Sequence, residues 1–283
     1  MWQQQEFVAK DEQPTPADEG DLLHQVLARF TSRYLQKKIS AMPLAALQKE
    51  LAEIFAAVAQ EAEAQGKIVN NVFWQAEAQR LHQLLQLWLQ FEYQKNWTGF
   101  MPWAVEWDFG SKNKRALRLQ LSDGTQIALT GRIDRIDSDG HRFFVTDYKR
   151  SGSSVPSGKD LANGFDVQLP LYLLALADLH SDNNSVVGGT YFVLKDGQRK
   201  SSFLLEDAGN PNLVYKKAAQ GINDSWDSFQ SFAQKLITDY IEAIYAGNFA
   251  VAPRKKCSAY CPLRNICRLS QMPQAEGGVQ ADE

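Results

Sequence analysis

Apolar positions recur at helical spacing through the first third of the chain and at two-residue spacing through its middle. Leu22, Leu23, Val26, Leu27 and Phe30 follow Asp18, Glu19 and Asp21, and acids at the head of an amphipathic run suit the positive end of a helix. A second helix is expected over 43–65. A third fits 71–95, with Trp74, Leu81, Leu84, Leu85 and Trp88 on its apolar stripe. Segments rich in Ile, Val, Phe and Thr predict strands near 103–109, 116–121, 125–136 and 142–149. The Ser-, Gly- and Pro-rich residues 151–160 read as a mobile loop. A helix over 161–179 is expected to kink at Pro170. A strand fits 186–194 and ends in Lys195-Asp196-Gly197, and a helix over 226–246 stops at Gly247. Residues 1–20, polar and carrying Pro14 and Pro16, read as an extended lead-in, whereas the stretch after about 272 lacks apolar periodicity and reads as disordered. The sum is one α/β domain over 21–271. It has a helical region over 21–100, a mixed-sheet core over 101–250 and a cysteine-containing segment over 251–271.

Within that pattern the segment Gly131–Lys149 stands out: Gly-Arg-Ile-Asp-Arg-Ile-Asp, a short turn, then Phe-Phe-Val-Thr-Asp-Tyr-Lys. Asp139-Gly140 is a strong two-residue turn signal. Such a turn sets Asp134 opposite Val145 and places Asp134, Val145, Asp147 and Lys149 on one face. Asp137 then falls on the other face, opposite Arg142, and a one-residue slip would exchange the two acids. Two carboxylates beside an ammonium form a compact site for Mg²⁺, a hard cation held by carboxylates, water and phosphate. Such a metal activates water and stabilises a leaving oxygen, while an ammonium stabilises charge that develops on phosphorus oxygens. Alone, Asp147-x-Lys149 is better read as a salt bridge on a solvated hairpin.

Composition narrows the class of protein. The 283 residues are 44% hydrophobic, enough for a sizeable core. No apolar run reaches membrane-spanning length. The polar, acidic N-terminus shows no secretory pattern, so the cytoplasm is the default location. The net charge of −3 does not advertise a nucleic-acid binder. Basic residues cluster nonetheless, at Arg132, Arg135, Lys149 and Arg150 and again at Arg254, Lys255, Lys256, Arg264 and Arg268. Phosphate contacts need such patches, although each alone also reads as ordinary solvated charge. A Gly-x-x-x-x-Gly-Lys-Ser/Thr loop is absent, so the chain lacks the nucleotide site of a helicase motor.

Other residues gain meaning beside the hairpin. His24 lies inside the first amphipathic run, where a lone histidine is usually structural, yet imidazole is a reasonable ligand beside carboxylates. Glu106, in Ala-Val-Glu-Trp-Asp-Phe, is a strand acid in apolar company and needs a partner, an arginine or a site. Gln168 and Tyr172 share a helical face and read either as plain surface residues, as phosphate contacts or as a brace for Lys149.

Together these motifs resemble the RecB-type branch of the PD-(D/E)-x-K nuclease superfamily. The resemblance is carried by Gly-Asp-Leu-Leu-His24, Val-Glu106, Gly-Arg-Ile-Asp134-Arg-Ile-Asp, Val-Thr-Asp147-Tyr-Lys149 and Gln168-Leu-Pro-Leu-Tyr172, and it runs from about residue 20 to 268. It implies a restriction-endonuclease-like core with a mixed β-sheet flanked by helices. His24, Asp134 and Asp147 would ligate Mg²⁺ or Mn²⁺, Lys149 would be the catalytic lysine, and Glu106 a supporting acid. Gln168 and Tyr172 would form a downstream helix motif, with Arg132 and Arg150 beside them for DNA. The implied activity is DNA hydrolysis, exonucleolytic rather than endonucleolytic, in recombination or double-strand-break repair. The implied partner is a helicase subunit or a helicase domain of a longer parent protein.

The cysteines complicate that picture. Cys257, Cys261 and Cys267 lie within eleven residues, and in a reducing compartment such a cluster suggests metal more than disulfides. Zinc and iron–sulfur sites each want four ligands. The RecB-like and AddB-like iron–sulfur nucleases carry three cysteines here and a fourth far upstream, which implies a four-iron four-sulfur cluster. This chain has no cysteine before Cys257, and its first spacing is three residues rather than two. Either the chain is a piece of a longer protein or the cluster has decayed, and a bound cluster is left unassigned. Two other readings stay open: a catalytically silent nuclease fold for DNA-end binding or subunit assembly, and a zinc-stabilised interaction domain.

Overall fold

The computed structural model describes residues 14–94, 99–111, 114–180, 186–205, 222 and 225–249. Three long helices lead: α1 (Pro16–Ser32), α2 (Leu44–Ala64) and α3 (Val72–Gln94). The first starts inside the expected lead-in because Thr15 caps it. The Thr15 hydroxyl accepts from the Asp18 amide while the Asp18 carboxylate accepts from the Thr15 amide, and Pro16 occupies the first turn. That reciprocal cap satisfies two otherwise orphan donors.

The strands follow as β1 (Met101–Phe109), β2 (Leu117–Gln120), β3 (Gln126–Leu129), β4 (Gly131–Ser138), β5 (Phe143–Lys149), β6 (Val186–Val193) and β7 (Gln198–Leu204). Five of them form a sheet in the order β1-β4-β5-β6-β7, and β2-β3 make a separate pair. Only β5 and β6 run parallel among the five, so the sheet is mixed as expected. The expected single strand over 125–136 is two strands divided at Thr130. Gly131 sits across from Phe109, and a β-carbon there would lie 2.6 Å from that ring.

The hairpin turn also differs from expectation. Ser138 pairs with Phe143 and Arg135 with Thr146, so the loop has four residues rather than two. Asp139 builds it: its carboxylate accepts from the His141 and Arg142 amides and pairs with the Arg142 guanidinium at 2.7 Å, an Asp side chain standing in for a backbone turn. The register moves by two residues, which preserves the face of every side chain. Asp137 therefore pairs with Phe144 rather than Arg142, and the register, paired as far as Arg135 and Thr146, leads Asp134 towards Asp147 rather than Val145.

Between β5 and β6 the expected loop holds a 3₁₀ turn (Gly152–Ser154) and the start of α4 (Gly158–Ala162). The expected kinked helix is two helices, α4 and α5 (Gln168–Leu179). Pro170 lies in the first turn of α5, where its missing N–H costs no helical bond. The polar stretch after β6 is a tight link into β7, a strand the periodicity does not reveal. Helix α6 spans Trp226–Tyr245. The chain divides into two compact units, Met1–Thr238 and Asp239–Glu283. The second is described only through the end of α6 and the residues to 249. The expected disordered stretch after 272 lies outside the described residues.

One core cluster joins α1–α3 to the sheet through Tyr148 and Phe192, and to the turn after β6 through Leu194. Trp88 packs edge-on against Phe30 and Tyr148. On the opposite face α5 comes close because Gly189 lacks a side chain: a β-carbon there would lie 2.7 Å from Leu169 and 3.1 Å from the Val145 carbonyl. The α3 face of the sheet also holds a buried charge cluster. Arg135 pairs with Glu92 at 2.9 Å and with Asp137 at 2.8 Å, and donates to the Tyr148 hydroxyl at 3.2 Å. Phe30 is fully buried and contacts Tyr34 and Trp88. Phe30→Ala is therefore expected to cost about 3–5 kcal/mol, read as a lowered urea midpoint with the cleft residues untouched.

Candidate metal centre in the sheet cleft

Three carboxylates stand in a row across the sheet. Val105↔Arg135 and Trp107↔Ile133 bracket Glu106 and Asp134 on neighbouring strands, and the β4–β5 register carries the row on to Asp147. Tyr191 of β6 is the next residue along. Glu106 takes φ +46° in mid-strand. That is a left-handed conformation a β-carbon disfavours, typically by about 1–3 kcal/mol, and such strain concentrates at functional positions.

Helix α1 brings His24 beside Asp134, the middle acid of the row. Its Nδ1 lies 3.4 Å from Asp134 Oδ1 and its Nε2 lies 3.1 Å from the Tyr148 carbonyl oxygen. The other oxygen of Asp134 accepts from the Tyr148 amide at 2.7 Å. Among the described residues, His24, Glu106 and Asp134 form a group whose ligand atoms all lie within 4.8 Å of one another. Glu106 also pairs with Arg132, 3.0 Å away, so its arginine partner and its site position coexist. An open cleft of about 860 Å³ reaches this group between α1 and the sheet, with Gly20, Arg132 and Tyr172 in its walls.

The Asp147 end of the row belongs to Lys149. Asp147 Oδ2 pairs with its ammonium at 2.9 Å. Gln168, the first residue of α5, donates to Asp147 Oδ1 at 2.8 Å, accepts from Lys149 Nζ at 2.8 Å and donates to the Tyr172 hydroxyl at 3.0 Å. Of its possible roles, the brace for Lys149 is therefore the one the geometry displays. Asp166 holds this corner from below: it accepts from the Gln168 and Leu169 amides and from the Tyr191 hydroxyl. The Lys149 ammonium sits 5.4 Å from the Tyr191 ring centre. Arg150 points elsewhere, paired with Glu19 at 2.8 Å. Of the expected metal set, His24 and Asp134 fall in one ligand group whose third member is Glu106 rather than Asp147; Asp147 stands next along the row, held by Lys149 and Gln168. Cys257, Cys261, Cys267 and the basic residues Arg254–Arg268 lie outside the described residues.

Sequence reasoning missed Asp166 and Tyr148. The first had a signal, an acid just ahead of a helical run. The second had only its parity: between Asp147 and Lys149 its side chain must face away from the site, which hides the part its backbone takes.

Charge in the row is unbalanced in the direction a cation corrects. Burial and the neighbouring Asp134 push the Asp147 carboxyl up to about 7, against the pull of Lys149. Burial and Asp134 also raise Glu106, despite Arg132. Burial works against a charged His24 ring, yet its hydrogen bond to Asp134 and the charges of Asp134, Asp147 and Glu106 outweigh it and lift the ring to about 9. One imidazole and several carboxylates form the donor set of a divalent-cation site, and burial, followed by repulsion from Asp134, keeps two of the carboxylates protonated to higher pH than usual.

Comparison with known proteins agrees. A family model described as the PD-(D/E)XK nuclease superfamily matches residues 1–268. The chain is 31% identical over 91% of its length to a Clostridium acetobutylicum protein named as a subunit of an ATP-dependent helicase/deoxyribonuclease. It is 27% identical over 89% of its length to the like-named protein of Acetivibrio thermocellus. It matches 27% of each of these two proteins, so it spans about a quarter of the relatives' length.

Because ligands bind in their deprotonated forms, metal and protons compete here. Below about pH 6.5 His24 is charged whether folded or not, and the native site favours that charge; this contribution is lost as pH rises towards 9. Asp147 behaves likewise from its ordinary value up to about 7. These two contributions to the stability of the metal-free protein should thus be lost between about pH 4 and 9, that of Asp147 first and that of His24 last, and Mn²⁺ affinity should rise over the same range. Calorimetry in buffers of different ionisation enthalpy should count protons released on Mn²⁺ binding. His24→Ala and Asp147→Asn should each lower that count.

Proposed function

Since the chain belongs to the PD-(D/E)XK nuclease superfamily, we propose that it is a Mg²⁺- or Mn²⁺-dependent deoxyribonuclease domain that hydrolyses phosphodiester bonds. The observation that carries this reading is the single row Glu106–Asp134–Asp147, with His24 beside its middle acid and the Lys149–Gln168 pair at the Asp147 end. His24 and Asp134 would hold the cation together with Asp147 from the next strand, and Glu106, whose carboxylate lies within 4.8 Å of the ligand atoms of His24 and Asp134, would complete the acidic wall. When bound, the cation supplies the Lewis acidity that activates water and stabilises the leaving oxygen.

The chain's own residues do the rest. Lys149 is fixed by Asp147 and Gln168 with its ammonium beside the row, where it orients the attacking water or stabilises charge on the phosphoryl oxygens. Gln168 and Tyr172 keep that ammonium and the Asp147 carboxylate in one arrangement, so little reorganisation is needed at reaction. Arg132, exposed at the cleft wall, offers a contact for the DNA backbone. Arg150 could reach a phosphate only by leaving Glu19.

Similarity to helicase/deoxyribonuclease subunits supports a domain of a helicase-nuclease working in recombination or double-strand-break repair. In that setting the substrate is a DNA end fed by a helicase subunit or helicase domain, cleavage is exonucleolytic, and the cytoplasm is the compartment. No helix among the described residues is long and apolar enough to cross a membrane. Any iron–sulfur role rests on Cys257, Cys261 and Cys267 with a ligand from outside them.

The deciding assay follows linear DNA with Mg²⁺ or Mn²⁺. Asp134→Ala and Asp147→Ala should abolish cleavage, and Lys149→Ala should lower it about 10²–10³-fold while DNA binding persists. Equal activity in Asp147→Ala and the unaltered protein overturns the assignment. Binding of DNA ends without cleavage under any divalent cation selects the silent-module reading instead.

A further inference from the structure

The buried charge cluster on the α3 face has no part in the chemistry proposed above, and its cost needs a reason. Arg135 is 1% exposed and Asp137 0%, and Glu92 brings a third charge from α3. Ion pairs this deep are weak evidence for stability, because desolvation offsets their attraction and apolar residues of similar volume often serve as well. What such a cluster does provide is a fixed geometry for whatever it holds.

It holds Tyr148. The Arg135 guanidinium spends Nε and Nη2 on Asp137, shares Nη2 with Glu92, and gives Nη1 to the Tyr148 hydroxyl at 3.2 Å. The ring is 5% exposed and touches Trp88 of α3 and Phe192 of β6 edge-on. On the other side of the strand the same residue's backbone meets the site twice: its amide donates to Asp134 at 2.7 Å and its carbonyl faces His24 at 3.1 Å. Its flanking residues are Asp147 and Lys149. One residue therefore has its side chain anchored behind the sheet and its peptide groups placed between the groups in front.

We propose that Tyr148 is a positioning residue, clamped through its hydroxyl by the Arg135–Glu92–Asp137 cluster, and that this clamp sets the spacing of His24 and Asp134 and hence the affinity of the site for a divalent cation. The inference rests on the nuclease reading only for the identity of that cation. It also gives α3 a defined route to the site, since Glu92 is its contribution to the clamp. A hydrogen-bonded partner behind a metal ligand commonly sets affinity by one to two orders of magnitude.

Tyr148→Phe removes one oxygen and keeps the ring. Glu92→Gln loosens Arg135 from the helix side without touching Tyr148. With MnCl₂ alone as the probe, titrated by calorimetry, each variant should bind about tenfold more weakly than the unaltered protein. DNA binding in EDTA should be unchanged, and cleavage should recover at saturating Mn²⁺. Amide exchange at Tyr148 should accelerate in both variants. A role in packing alone would lower the melting temperature and leave the Mn²⁺ affinity of the folded protein within twofold, and that result overturns the proposal. If Tyr148→Phe does not fold, Glu92→Gln decides by the same criteria. If the unaltered protein binds no Mn²⁺, the metal-dependent reading fails, and Tyr148 amide exchange still tests the clamp: unchanged protection in the variants overturns it.

Discussion

Glu106, Asp134 and Asp147 occupy neighbouring positions on adjacent strands, and strands lie about 4.8 Å apart. At that spacing two carboxylates repel by on the order of 3 kcal/mol if the surroundings screen as a protein surface does. Much around the cleft can be understood as a response to this repulsion. Lys149 and Arg132 sit at the outer acids, and His24 takes a charge beside the middle one. Burial of Asp147 makes the imbalance worse rather than better. A metal-free site of this kind stores unfavourable charge that only a cation or added protons relieve, which is the electrostatic form of readiness to bind.

Such a row also needs mechanical restraint, since repelling side chains would otherwise swing apart. Restraint comes from two directions. In front, α5 begins at Gln168, whose amide bridges Asp147, Lys149 and Tyr172. The start of that helix is pinned by Asp166, which is itself held by Tyr191. Gly189 lets the helix lie close enough to reach. Behind, the buried Arg135 cluster faces α3 and holds the strand between the two site residues of β5. The sheet is thus gripped on both faces at the point where the acids stand.

Sequence reasoning reached the row because side-chain parity along a strand is robust. The loop length at Asp139–Arg142 was misread by two residues, yet Asp134 stayed on the site face, because an even error in register changes the partner and not the face. An odd error would have selected Asp137, which is in fact buried beside Arg135 on the other face. Long helices were legible from period alone, and α2 and α3 start and end within one residue of expectation. What stayed hidden depends on partners distant in sequence. Examples are the division at Thr130, the strand β7, the pairing of Arg150 with Glu19 and the Arg135–Glu92 bond. Glu106 was ambiguous for a similar reason: its neighbours in sequence do not disclose that the backbone turns left-handed there.

His24 adds a dependence that the sheet alone cannot meet. It comes from α1, far from the hairpin in sequence, and reaches Asp134 only when α1 is docked. The docking is specific. Glu19, on the same helix, accepts from Arg80 of α3 and from Arg150 at the end of β5 through one oxygen, at 2.8 Å each. The apolar stripe of α1 is shared with α2, α3, Tyr148 and Phe192. The three helices and the sheet therefore share one core, and the imidazole end of the metal centre exists only in the assembled fold. A sheet stripped of α1 would keep Asp134, Asp147 and Lys149 but would leave their repulsion without its nearest imidazole. The helical region is therefore part of the site and not an accessory to it.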